Sequence, residues 1–146
     1  DKGVYVLAAT NHPERIDKAV LRTGRIDEMV YIDMPDIEAR KSLFALELSK
    51  LPTEGDIDTT HLSELTNGYN CSDISYIVKS AARKKFNETI KSPDGKKQGI
   101  TQEVLEEIIA TRSPSVSTKS LREYERVRSE FSPKDKGLKP VTIGFR

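Results

Sequence analysis

An asparagine and two arginines near the start of the chain have residue types and spacing suited to chemistry on phosphate groups. Asn11 follows a nearly continuous apolar run over residues 4–9, the pattern of a strand buried on both faces of a parallel sheet. Ligands bind at the carboxyl edge of such sheets, so the Asn11 amide is placed to orient a water molecule or a phosphate oxygen. Arg22 and Arg25 flank Gly24, and their planar guanidinium groups suit phosphate oxygens better than lysine would.

The elements that must position these groups are predicted to be short at first and helical afterwards. A short helix over about residues 17–22 and a strand over residues 29–33 follow the first strand. Apolar residues at helical spacing then predict longer helices over residues 37–51, 59–66, 71–90, 102–111 and 117–131. Four polar residues are expected to cap the first four of these helices, namely Asp36, Asp58, Asn70 and Thr101.

These elements predict a chain that is mainly helical and has three parts. Residues 1–36 have the pattern of a carboxyl-terminal fragment of an α/β domain with a parallel sheet, and residues 37–112 predict an all-α bundle of four helices. Residues 113–146 predict a linker, one further helix and a flexible tail.

Composition argues against several classes of protein. The 146 residues include 24 Lys and Arg against 23 Asp and Glu, so no excess charge favours nucleic acid or an anionic membrane as a partner. The longest apolar run is too short to span a bilayer, and no signal peptide is apparent. The single cysteine, Cys71, excludes an internal disulfide and fits a reducing compartment, so a cytoplasmic location is expected.

Three segments of the chain together resemble the AAA family of ATPases. The apolar run ends in Ala-Thr-Asn at residues 9–11, Ile-Asp follows at residues 16–17, and residues 21–27 read Leu-Arg-Thr-Gly-Arg-Ile-Asp. This order and spacing resemble the family's second region of homology. Thr23 stands where the family usually has proline, a change that removes a fixed φ angle but leaves both arginines in register.

The resemblance implies a role for each of these residues. Asn11 corresponds to the sensor-1 residue, which orients the attacking water near the γ-phosphate of ATP, and it is therefore both a catalytic and a cofactor-binding candidate. Arg22 and Arg25 correspond to arginine fingers that reach the ATP of a neighbouring subunit. The chain contains no Gly-x-x-x-x-Gly-Lys-Ser/Thr loop, and no metal ligands are predicted within it.

For the intact protein, the resemblance implies ATP hydrolysis with magnesium in a ring of identical subunits, with a hexamer expected. The work done by hydrolysis would be unfolding or remodelling of protein substrates. Because the phosphate loop and the magnesium-binding acids come earlier in the family's chains, the present chain is expected to be inactive alone.

The predicted helical bundle resembles the lid of the same family. Residues 68–73, Gly-Tyr-Asn-Cys-Ser-Asp, resemble the sensor-2 region, whose backbone lies near the adenine and ribose. Cys71 and Ser72 are therefore candidate nucleotide contacts, although they are bulkier than the usual glycine and alanine. Glu47 aligns with a lid position that contacts the nucleoside. Residues 115–125 resemble the carboxyl-terminal extension of the second ATPase domain in the valosin-containing protein group.

Other interpretations of the same residues remain open. Asn-His-Pro at residues 11–13 is also an ordinary turn, Arg22 and Arg25 could form a solvated pair, Glu47 could be an exposed helix charge, and Cys71 could be a small buried residue. The intact protein could be a regulatory ATPase of the proteasome type, against which the carboxyl-terminal helix argues mildly. The chain could also be a non-enzymatic helical protein-interaction module, although such a module has no use for a lone parallel strand.

Overall fold

A computed structural model describes residues 3–20, 22, 24–26, 28–92 and 98–131 of the chain. The described residues form two compact units. One unit contains the described residues before Asp33 together with the last helix, and the other contains Asp33–Ser117.

The helical part of the predicted fold is confirmed. Each of the five longer helices begins within one residue, and ends within three residues, of its predicted position. Their bounds are α1, Ile37–Leu48; α2, Thr59–Leu65; α3, Cys71–Lys91; α4, Gln102–Ala110; and α5, Thr118–Phe131.

Side-chain caps fix the beginnings of three helices in the second unit. Asp36 accepts a hydrogen bond from Ala39 N–H (2.7 Å) at the start of α1. The carboxylate of Asp58 accepts two bonds from first-turn amides of α2 (2.9 and 3.0 Å). Asn70 caps α3 in the same manner. The predicted cap at Thr101 is wrong in its chemistry, because Thr101 occupies the cap position of α4 but makes no side-chain cap bond.

Helices α1 to α4 share one apolar core. Phe44 from α1, Ile77 from α3 and Leu105 from α4 are fully buried, as expected for the apolar faces of amphipathic helices. The helical spacing of apolar residues predicts that Phe86 and Ile90 continue the apolar stripe of α3 to its carboxyl-terminal end, but these side chains are 63% and 66% exposed. The core comprises Phe44, Leu48, Leu62, Tyr69, Ile74, Ile77, Val78, Ala81, Ile100, Val104, Leu105 and Ile109.

The backbone between α1 and α2 pairs with the residues just before α4. Ile100 N–H donates to the carbonyl of Pro52 (2.9 Å), and Glu54 N–H donates to the carbonyl of Ile100 (2.9 Å). A Cβ at Gly99 would lie 2.5 Å from the carbonyl carbon of Thr53. Only glycine allows the two backbone segments to approach this closely.

Arg40 is a buried cation of this unit, at 5% exposure. Its Nε and Nη2 donate to the carbonyl of Ser63 at 3.2 and 3.0 Å, and its Nη1 donates to the carbonyl of Pro35 at 2.8 Å. Burial lowers the pKa of Arg40, and the nearby charge of Asp36 opposes that shift. The side chain therefore joins the segment before α1 to the end of α2.

The predicted strands are not formed, and the α/β part of the predicted fold class is not confirmed. No strand occurs among the described residues, and the side chains of residues 4–7 are between 80% and 99% exposed. A strand needs a neighbouring backbone to satisfy its N–H and C=O groups, and no β-bridge joins residues 4–9 or 29–33 to another described residue.

The short helix expected over residues 17–22 is also replaced by other structure. A single 3₁₀ turn occurs earlier, at Pro13–Arg15. Residues 17–20 form only a turn, in which the Asp17 carboxylate accepts from Ala19 N–H (2.8 Å) and the Asp17 carbonyl accepts from Val20 N–H (2.8 Å). Asp17 thus accepts the predicted local hydrogen bond without starting a helix, because local capping bonds also stabilise turns.

In the same unit, α5 has one buried side. Val127 is 5% exposed, and Leu121 and Tyr124 are half-buried at the preceding three-residue steps. Arg128 lies over the ring of Tyr31, with its guanidinium carbon 5.6 Å from the ring centroid.

Candidate functional site

The two candidate finger arginines lie at the ends of a four-residue turn. Arg25 N–H donates to the carbonyl of Arg22 (3.2 Å), and Gly24, at the third position, has a φ of +86°. A positive φ at this position is typical of a type II turn and favours glycine. The turn holds two exposed guanidinium groups close together in sequence, and the Nη1 of Arg25 donates to the carbonyl of Ala19 at 2.9 Å.

Asn11 lies in the same unit, one residue after the exposed segment 3–10. Its side chain is exposed, and the residues around it form a local turn in which His12 N–H donates to Thr10 Oγ1 at 2.9 Å. His12 Nδ1 lies 3.1 Å from a carboxylate oxygen of Glu14. The local structure therefore leaves the Asn11 amide accessible to a ligand.

The other three candidate residues, Glu47, Cys71 and Ser72, lie in the second unit. Cys71 and Ser72 are the first two residues of α3 and are both exposed, so the interpretation of Cys71 as a small buried residue is wrong. Their backbone N–H groups donate to no described residue. A helix amino terminus with unpaired N–H groups attracts anions through those groups and the helix dipole.

The structure brings Glu47 to the same helix. The Oε1 of Glu47 on α1 accepts a hydrogen bond from the Ser75 hydroxyl of α3 at 3.1 Å. Ser75 lies one turn after Cys71, so the two share a helix face. Glu47 is half-buried rather than fully exposed, and its carboxylate supplies a hydrogen-bond acceptor beside the first turns of α3.

A buried carboxylate, which the sequence analysis does not single out, organises the start of α3. Asp73 is 2% exposed and forms a capping box with Asn70, since each side chain accepts a hydrogen bond from the other residue's backbone N–H. Its Oδ2 also accepts from the backbone N–H (3.1 Å) and the hydroxyl (2.9 Å) of Ser115. The spacing Asn-x-x-Asp is a capping signal in the sequence, but the contact with Ser115 comes from 42 residues later.

Arg112 forms an ion pair with the other oxygen of this carboxylate. Its Nη2 lies 3.4 Å from Asp73 Oδ1, and its guanidinium carbon lies 3.9 Å from the ring centroid of Tyr76. The buried Nε of Arg112 has no hydrogen-bond partner within the described part of the chain. The carbonyl of Arg112 accepts from the Tyr69 hydroxyl at 2.6 Å, and burial raises the pKa of Tyr69, which keeps this donor protonated.

The charge of Asp73 makes stability depend on pH. Burial raises the pKa of Asp73, but hydrogen bonds from Ser115, Asn70 and Arg112 outweigh burial and hold the pKa below its usual range. A lowered folded-state pKa stabilises the fold above the unfolded value of about 3.9, and this contribution is lost as pH falls through the folded value. We expect the free energy of unfolding to decrease as pH is lowered below about 4, measured by urea unfolding.

Two variants test whether this pH dependence of stability comes from Asp73. In Asp73→Asn, the loss of stability relative to the natural chain should be largest near neutral pH and shrink in acid. Asp56→Asn is the matched control, because Asp56 is exposed and its side chain forms no hydrogen bond or ion pair with the described residues. If Asp73→Asn and Asp56→Asn show the same pH profile, the assignment to Asp73 is wrong.

Neither a metal site nor a membrane span was found within the described ranges. They contain no group of three or more His, Cys, Asp or Glu side chains arranged to hold a metal ion. Among the same residues, every helix is too short or too polar to cross a membrane.

Sequence comparison relates the chain to much longer proteins. No family model matches it. The chain is 34% identical over 138 residues to "Cell division cycle protein 48 homolog" of Archaeoglobus fulgidus, which covers 89% of this chain and 19% of that protein. It is 37% identical over 89 residues to "Putative cell division cycle ATPase" of Plasmodium falciparum, which covers 61% of this chain and 7% of that protein. The chain thus spans less than a fifth of the length of these two relatives.

Proposed function

We propose that this chain is the part of a ring-forming ATPase that senses bound ATP and promotes its hydrolysis. The chain belongs to the AAA ATPases of the cell division cycle protein 48 type. The observation that carries this proposal is the turn closed by Gly24, which presents Arg22 and Arg25 together at the surface. Two guanidinium groups with permanent charge are suited to phosphate oxygens that gain charge during phosphoryl transfer.

In this proposal the exposed residues of the first unit act on the γ-phosphate. The Asn11 amide orients the attacking water, and Arg22 and Arg25 stabilise charge on ATP held by a neighbouring subunit. When bound, ATP with magnesium supplies the phosphoryl group and part of the charge neutralisation. The phosphate loop and magnesium ligands would come from segments outside this chain, since the sequence contains no such loop. Residues 1–36 would then complete a parallel sheet whose other strands the same segments supply.

The second unit would serve as the lid over the nucleoside. The unpaired N–H groups at Cys71 and Ser72 can donate to a ligand, and the Glu47 carboxylate can accept from a ribose hydroxyl or an adenine amino group. These donors and acceptors lie on the first turns of one helix and on the helix packed against it. The arrangement fits a polar nucleoside with an anionic group nearby.

The intact protein would couple hydrolysis to unfolding or remodelling of proteins. The intact protein would form a hexameric ring, in which an arginine finger of one subunit can reach the ATP of its neighbour, and it would act in the cytoplasm. The near-neutral charge of the chain gives no support for a nucleic-acid substrate. Protein substrates are therefore the favoured class.

ATP hydrolysis by the intact protein and by this chain alone tests the proposal. We expect magnesium-dependent phosphate release from the intact protein, and release at the level of buffer from residues 1–146, because the phosphate loop is absent from them. Removing magnesium with a chelator is the control. If the intact protein fails to bind or hydrolyse ATP, the chain is better explained as a helical interaction module.

A further inference from the structure

The segment that follows α4 is fastened to the first turn of α3 by several polar contacts. Ser115 donates to Asp73 through its backbone N–H and through its hydroxyl. The hydroxyl of Ser115 also accepts from Asn70 Nδ2 at 2.9 Å. One serine hydroxyl therefore contacts both members of the capping box.

A second contact holds the same segment three residues earlier. The guanidinium group of Arg112 lies between the Asp73 carboxylate and the Tyr76 ring, and its backbone carbonyl accepts from Tyr69. The 112–115 segment thus contacts α3, and Tyr69 and Asn70 just before it, through both side chains and backbone.

These contacts exceed what capping requires. A capping box is complete when the side chains of Asn70 and Asp73 each accept the other's backbone N–H, and both bonds are present. Ser115 and Arg112 add three further hydrogen bonds to the same carboxylate, which is 2% exposed. Because Cys71 and Ser72 lie between Asn70 and Asp73, moving the 112–115 segment would disturb the turn that contains them.

The additional donors also change the charge that a ligand at this turn would meet. An uncompensated Asp73 carboxylate would repel an approaching phosphate group, since like charges oppose one another strongly where water is excluded. Arg112 supplies a positive charge against Asp73, and Ser115 holds the carboxylate in its buried position. Both effects favour an anionic ligand at the N–H groups of Cys71 and Ser72.

We propose that Ser115 and Arg112 are positioning residues that set the nucleotide affinity of the α3 amino terminus, acting through Asp73. This inference rests on the proposed function, because it assumes that Cys71 and Ser72 face the nucleotide. It makes the segment leading to α5 a determinant of how tightly nucleotide is held.

Steady-state kinetics of the intact protein provide the first test. Ser115→Ala removes the hydroxyl that contacts Asp73 and Asn70, and we expect the KM for ATP to rise by about 3- to 10-fold, as for the loss of one or two hydrogen bonds. The value of kcat should change by less than about twofold, since the reacting atoms keep their own contacts. Ser115→Thr restores a hydroxyl and should recover the lower KM.

Ser113→Ala is the matched control. Ser113 is exposed, belongs to the same segment, and makes no hydrogen bond with the described residues, so its replacement should leave the KM unchanged. If Ser115→Ala lowers the melting temperature while the KM stays constant, the contacts serve stability alone and the inference is overturned. An equal rise of the KM in both variants overturns it as well.

Backbone amide NMR of the 146-residue chain separates this inference from the proposed function. Without nucleotide, Ser115→Ala should shift the amide resonances of Cys71 and Ser72, whereas Ser113→Ala should not. Unshifted resonances would contradict the coupling even if the intact protein is an ATPase. If the resonances of the 146-residue chain shift but the intact protein binds no ATP, the proposed function is disproved. The coupling between the two segments would then still stand.

Discussion

In the intact protein, Arg25→Ala should reduce the maximal rate of ATP hydrolysis by about 10³-fold or more, with little change in the dissociation constant for ATP. Arginine fingers contribute about 10³ to 10⁵ to turnover in phosphoryl transfer because they stabilise charge that develops only in the transition state. Arg25 is exposed, and its side chain donates a hydrogen bond to the carbonyl of Ala19. Its replacement should therefore spare the fold. Phosphate release at saturating ATP and equilibrium binding of a labelled ATP analogue measure the two quantities.

Arg15→Ala is the control for a general loss of positive charge, because Arg15 is also exposed in the same unit and should tolerate replacement. Arg25→Lys should restore little activity, since the guanidinium fork is lost. Near-natural turnover of Arg25→Ala would exclude the finger role.

Mixed rings show whether Arg25 acts on a neighbouring subunit. Asn11→Ala and Arg25→Ala rings should each be inactive, but a co-expressed mixture contains sites in which an Arg25→Ala subunit holds ATP and its Asn11→Ala neighbour supplies an intact Arg25. We expect the mixture to regain part of the activity. No regain in rings shown to contain both variants would mean that Asn11 and Arg25 must belong to the same subunit.

Local signals account for the part of the fold that the sequence predicts well. The helices α1 to α5 follow apolar residues at helical spacing, and Asp36, Asp58 and Asn70 cap their helices as predicted. Both signals act over a few residues, so they are readable without knowledge of the rest of the chain. Thr101 fails as a cap because its position relative to α4 does not determine where its hydroxyl bonds.

Non-local partners account for what the sequence predicts poorly. The apolar run at residues 4–9 predicts a buried strand, but burial requires neighbouring strands, and the described residues provide none. Asp73 is recognisable as a capping residue, whereas its bonds to Ser115 and Arg112 join positions about forty residues apart. The roles of Asn11, Arg22 and Arg25 likewise depend on groups beyond their own turn, so they remain predictions.

The largest effect on stability is expected from Phe44→Ala. Phe44 is fully buried in the core, with 0% solvent exposure, so truncation removes buried apolar surface and leaves a cavity. Such substitutions cost about 3–5 kcal/mol, against a total stability of about 5–15 kcal/mol for a typical domain. We expect the urea midpoint of the 146-residue chain to fall sharply, with the slope of the transition unchanged.

Phe86→Ala makes the same chemical change at a position that is 63% exposed, and it is expected to alter stability by less than about 0.5 kcal/mol. The comparison separates burial from residue type, since both phenylalanines lie on helices of the same unit. The sequence alone places Phe86 on the apolar stripe of α3 and would predict a similar cost for both changes. An equal loss of stability would therefore mean that the end of α3 is covered in solution. A large loss for Phe44→Ala alone would support the core as described, with Phe44 inside it and Phe86 outside.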